Sequence, residues 1–248
     1  MKKYLTAGRF LLPSLFAGLL GFLLQLWLLT TTDDRGLLAH FHISSILTFL
    51  LTGVFLLVLA LYVRKQTSVI SYPAMFAGGV VPAIGCLAAA GGILYTAIHA
   101  VTVRKDILTW LVLGVGILAA LCLLVLALFR LRKQRPHGLL QGIVTFFFAV
   151  YLLNQYRSWC KEPQLVVVFF PLLACIFLML ALYHGTALDT QKESCHRYVF
   201  FNRAAVVCCC LALCHGNSIF YAAMGLYMAC SLRLFPAAAK RRTTDSEE

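Results

Sequence analysis

Leu121-Cys122-Leu123-Leu124-Val125-Leu126-Ala127-Leu128 is an unbroken apolar run with no alternation of character. A lipid-spanning barrel strand alternates apolar and polar residues over about ten positions, so this stretch reads as helix. It lies inside a longer uncharged segment, 107–129, bounded by Asp106 and Arg130. At about 1.5 Å per residue such a segment crosses about 30 Å of hydrocarbon. Segments of the same kind recur at 10–30, 43–63, 74–98, 138–156, 164–184, 198–214 and 218–235, with a polar tail at 236–248. The expectation is an all-α fold: a polytopic transmembrane helical bundle of about eight spans, forming one domain over 1–248.

Composition points the same way. Apolar residues make up 61% of the chain and charged ones 12%, whereas soluble domains carry roughly a quarter charged residues. The segment 198–214 is the least regular, because Asn202 and Arg203 interrupt it. Arg203 is expected near the boundary, reaching outward to lipid headgroups. The opening Lys2, Lys3 and Arg9, then an apolar run from Phe10 to Leu29, has the layout of a secretory signal. That run exceeds a typical signal core and no small-x-small cleavage site follows it, so it reads as an uncleaved first helix.

The basic residues orient the bundle. With the amino terminus inside, the inner segments hold fifteen of them: Lys2, Lys3, Arg9, Arg64, Lys65, Arg130, Arg132, Lys133, Arg135, Lys192, Arg197, Arg233, Lys240, Arg241 and Arg242. The outer loops hold five: Arg35, Arg104, Lys105, Arg157 and Lys161. Positive charge stays on the cytoplasmic side, which places both termini there. Trp27, Trp110 and Trp159 fall at the expected outer boundary, and Tyr62, Tyr72, Tyr183 and Tyr198 at the inner one, where amphipathic rings belong.

The net charge of +12 does not imply nucleic acid, because the cations flank helices in short loops. Membrane lipid is the expected partner, with anionic headgroups at Arg130, Arg132, Lys133 and Arg135; a protein subunit is the other candidate. Most of the ten cysteines lie in mid-span, where cysteine acts as a small apolar residue. Cys210, Cys214 and His215 share a helical face suited to a soft metal, but the sequence supplies no further ligands there. No cofactor is expected.

All nine acidic residues fall in loops or the tail. Ion-coupled transport commonly uses an intramembrane carboxylate, and a membrane hydrolase needs a general acid or base, so both classes lose ground. No zinc-protease, nucleophile-elbow or phosphate-loop motif is present. Two polar groups remain at the expected outer face. Asp33, Asp34, His40, His42 and His99 carry the ligand types of a divalent metal site. His40 and His42 would converge on one ion only in an extended stretch, since two positions apart on a helix point about 200° apart. Asn154, Gln155 and Arg157 form the second group, a candidate entrance for polar or anionic solutes.

Helix three is rich in small residues. Gly78, Gly79, Gly85, Gly91 and Gly92 allow close helix packing, and Pro82 is expected to kink the span, making it a packing or hinge element. Pro171 offers a second kink. Gln25, Thr48 and Thr52 are expected to bond between helices. Leu57–Tyr62, Leu124–Phe129 and Leu178–Tyr183 read alike, a faint mark of duplicated hairpins.

Tyr151-Leu152-Leu153-Asn154-Gln155-Tyr156-Arg157-Ser158-Trp159, Pro163-Gln164-Leu165 and Leu172-Leu173-Ala174-Cys175 resemble a family of uncharacterised multi-pass membrane proteins from Gram-positive anaerobic bacteria. The resemblance spans roughly the last half of the chain and implies a bacterial cell membrane, with no activity attached. The sequence therefore favours a non-enzymatic, permease-like or transport-associated component. A structural or sensory partner subunit is the alternative, and an intramembrane enzyme or metal-binding protein comes third.

Overall fold

The computed structural model describes residues 10–30, 42–65, 79–134, 137–160, 165–189 and 195–232. These hold eight helices and no strand: α1 (Leu11–Thr30), α2 (Ile43–Lys65), α3 (Val80–Val103), α4 (Ile107–Leu131), α5 (Gly138–Trp159), α6 (Leu165–Asp189), α7 (Cys195–Ala212) and α8 (Ser218–Ser231). Six of them, α1 to α6, are long and apolar enough to cross a membrane. Their outward faces are greasy: Leu12 is 74% exposed and Ile107 89%. Such surface would drive aggregation in water and is matched by lipid tails. This is the architecture of a polytopic helical membrane protein.

The last two helices differ from the first six. The 14 residues of α8 rise about 21 Å, short of a full hydrocarbon core. The 18 residues of α7 include Asn202 and Arg203 and fall outside the apolar set. Arg203 does not reach outward as its sequence position implied. It lies at mid-helix and is fully buried. The cause is that α7 packs against α1, α2, α6 and α8, so no face near Arg203 meets lipid.

Helices α3 to α8 form a closed ring, each packed on the next and α8 returning to α3. The α1–α2 hairpin packs outside it, both members against α7. Small residues set the closest approaches. A Cβ at Gly92 would stand 2.7 Å from Ala223 Cβ, and one at Gly85 3.0 Å from Cys230 Cβ, so α3 meets α8 almost backbone to backbone. A Cβ at Gly116 would stand 2.8 Å from Ala97 Cβ on the α3–α4 contact, and one at Gly18 2.8 Å from Cys210 Cβ between α1 and α7. Gly91 has no neighbour within 4 Å of a notional Cβ. Gly78 lies outside the described residues.

Several local expectations change. Helix α3 begins at Val80, so Pro82 sits in the first turn, where its missing N–H would have had no helical partner. It costs no hydrogen bond there and does not interrupt the span. Gly79 precedes the helix at φ 128°, a left-handed backbone that disfavours any side chain, and its N–H donates to the Arg130 carbonyl at 2.9 Å. Pro171 does lie inside α6. Thr48 and Thr52 bond backward within α2, to Ser44 O at 2.7 Å and Thr48 O at 2.8 Å, rather than across helices. Gln25 is fully buried, and neither side-chain polar atom has a partner among the described residues. Arg130, expected at headgroups, is buried, while Arg132 and Lys133 are exposed and Arg135 lies outside the described residues.

The two ends of the bundle differ in chemistry. One carries Trp27, Trp110 and Trp159, where α1, α3 and α5 finish and α2, α4 and α6 begin. The other carries Arg64, Arg130, Arg132, Lys133 and Arg197.

Candidate functional site

At the tryptophan end, the ring opens into a cavity of about 350 Å³. Its described walls belong to α3, α4, α5, α6 and α8, with the α3–α4 and α7–α8 turns. Helix α3 contributes Thr96 and His99, α5 contributes Tyr151, Asn154, Gln155 and Trp159, and the α7–α8 turn contributes His215 and Asn217. Thr109, Arg104, Pro171 and Tyr221 complete the polar and shape-giving part of the lining. The cavity is deep. Tyr151 is eight residues below the end of α5 at Trp159, about 12 Å along the axis. Half of a hydrocarbon core is about 15 Å, so the floor comes close to mid-membrane.

Tyr151 is the centre of the floor. Its side chain is buried, and Gln155 Nε2 at 2.8 Å and Asn217 Nδ2 at 2.9 Å both donate to its Oη. Gln155 reaches it because residues four apart share a helical face. Asn217 reaches it because the chain turns at Gly216, whose φ of +42° favours glycine. Tyr221, one turn into α8, places its hydroxyl 3.7 Å from Cys175 Sγ. Beneath these, aromatic rings fill the ring of helices. Phe147 stacks on Tyr151 at 5.8 Å between centroids, and Phe220 meets Tyr151 at 5.1 Å and Phe148 at 5.8 Å. All three phenylalanines are fully buried. The cavity is therefore closed below and open at the tryptophan end.

Charge at the rim is unequal. Asp106 Oδ2 pairs with Arg157 Nη1 at 3.3 Å, both half-exposed. Arg104 lines the cavity itself, and no carboxylate does among the described residues. His215 is 7% exposed, and its Nε2 is buried without a hydrogen-bond partner among the described residues. Burial pushes this imidazole below its ordinary value of 6.5.

The residues singled out by sequence scatter. Asn154, Gln155 and His99 come together on the cavity wall, and Arg157 stands at its rim in the Asp106 pair. His42 is engaged elsewhere, with Nδ1 2.6 Å from Ser44 Oγ and its ring edge-on to Trp27 at 5.4 Å. His99 stacks on Tyr95. Asp33, Asp34 and His40 lie outside the described residues. Among the described residues, no group of three or more His, Cys, Asp or Glu side chains is placed to hold a metal ion. Sequence reading missed Tyr151 and Asn217 and weighed His215 only as a metal ligand with Cys210 and Cys214. The polar break His215-Gly216-Asn217 between two apolar runs was the available signal.

Comparison with protein-family models, with curated proteins and with solved structures finds no match to the chain.

Proposed function

We propose that this chain is a non-enzymatic, permease-like component of a bacterial cell membrane that receives a small polar solute from the outer side. The observation that carries this reading is the cavity at the mouth of the six-helix ring. Its volume lies at the lower end of the range for small-molecule sites, about 300–1,000 Å³. Its walls combine apolar helix surface with a few convergent amides, hydroxyls and imidazoles, the mixture that orients a metabolite-sized solute. The outer assignment rests on the three tryptophans at this end and the excess of basic residues at the other. On this reading the aromatic layer below Tyr151 closes the inner side of an outward-open form, and passage would need Phe147, Phe148 and Phe220 to part.

Thermal unfolding of the purified protein in detergent, against amino acids, sugars, nucleosides and organic acids, tests the reading. At least one solute class should raise Tm, and Asn154→Ala should remove the rise. Counterflow of that solute in proteoliposomes should then appear with the wild-type chain only. A Tm unmoved by every class, or raised equally in Asn154→Ala, contradicts it.

A further inference from the structure

Building on the solute-binding reading above, we propose that the solute is a small organic acid, its carboxylate taken by Arg104 and His215 at the cavity wall. Three features converge on this class. The first is the sign of the charge. Arg104 is the one formally charged side chain on the described lining, and no carboxylate opposes it there. The acid nearest in sequence, Asp106, is already held by Arg157 at 3.3 Å. Lys105 stands exposed beside Arg104. An ammonium solute would find no counter-charge on these walls, and an anion finds one that low-dielectric surroundings strengthen.

The second is an unmet polar atom. His215 lines the cavity, and its Nε2 is buried with no partner among the described residues. Buried polar atoms are almost always paired, and a turn of this imidazole toward the cavity would let it meet a ligand atom. A carboxylate oxygen accepts from an imidazole N–H and gains a stronger bond than a neutral acceptor does.

The third is a pair of side chains without acceptors. The Trp159 indole and the Arg104 guanidinium can only donate. A head group built of acceptors suits this pair. The Trp159 ring, Val103 and Val168 leave an apolar surface for the remainder of the molecule.

Acetate, succinate and benzoate, each beside its neutral amide, serve as probes for titration of the purified full-length chain. The acid should bind at least about tenfold more tightly than its amide, with the preference shrinking between about 0.05 M and 0.5 M salt. Arg104→Gln, at a partly exposed position outside the helices, should erase the preference while amide affinity stays within about twofold. Arg104→Lys should keep part of it. Equal affinity of acid and amide, or equal losses of both in Arg104→Gln, overturns the organic-acid assignment and leaves the solute-binding reading intact. Absence of binding by every probe overturns the assignment, and if the wider solute panel also fails, the solute-binding reading falls with it.

Discussion

Asn217 Nδ2 donates a 2.9 Å hydrogen bond to Tyr151 Oη, tying the α7–α8 turn to the interior of α5 across 66 positions of sequence. That bond fixes one wall of the cavity against its floor. The Gln155 donor on the same oxygen makes a three-residue polar network surrounded by aromatic rings. Networks of this kind are worth more intact than the sum of their parts.

Tyr151→Phe removes the shared acceptor and leaves two amide donors short of a partner. The expected loss is about 1–3 kcal/mol of unfolding free energy. Asn217→Ala and Tyr151→Phe should be non-additive, with a coupling of about 0.5–1.5 kcal/mol in a double-mutant cycle. Denaturant unfolding of the purified protein measures both, and strict additivity would contradict the described network.

Neighbouring glycines on α3 should behave oppositely. Gly92→Leu places a side chain where Ala223 Cβ would be 2.7 Å from the first carbon. Separating α3 from α8 should cost about 1–3 kcal/mol or more. Gly91→Ala meets nothing within 4 Å and gains helix propensity, so it should be neutral or stabilising by up to about 1 kcal/mol. Unfolding curves for the two variants, recorded side by side, check the packing of the ring.

The His215 imidazole is depressed below 6.5 by burial, and the sign of its effect follows. Between its depressed value and about 6.5, the unfolded chain binds more protons at this position than the folded one. Its contribution to stability is therefore present above about pH 6.5 and declines as pH falls. His215→Gln should flatten that part of the stability–pH curve relative to wild type. Parallel curves for the two proteins would contradict the burial of this ring.

The Arg157–Asp106 pair is half-exposed on both sides. Arg157→Ala should change stability by no more than about 1 kcal/mol, with the difference fading in high salt. A larger, salt-insensitive loss would mean the pair is screened from water in the membrane-bound protein.

Much of the architecture was legible because lipid imposes one rule on every spanning segment: apolar side chains and internally satisfied backbone. Helices α1, α2, α4, α5 and α6 begin within about one residue of where their apolar runs begin. Helix α3 starts six residues later than its apolar run at 74, because Gly79 and Pro82 form an N-terminus rather than an interior kink. The fate of Arg203 could not be read locally; a charge reaches outward or stays inside according to which helices surround it, and that is a tertiary property. The cavity was half-visible. Asn154, Gln155 and His99 are polar residues at the ends of apolar runs, but ring closure by α8 on α3 is what sets His215 and Asn217 opposite them.

Thiol labelling of intact cells tests the central claim most directly. In a chain with Cys160→Ser, a cysteine at Asn154 should react with a membrane-impermeant reagent added outside, while one at Lys133 reacts only after permeabilisation. Protection of the residue-154 thiol together with ready external labelling at residue 133 would show the cavity facing the cytosol, and the account of an outward-facing solute site would fail.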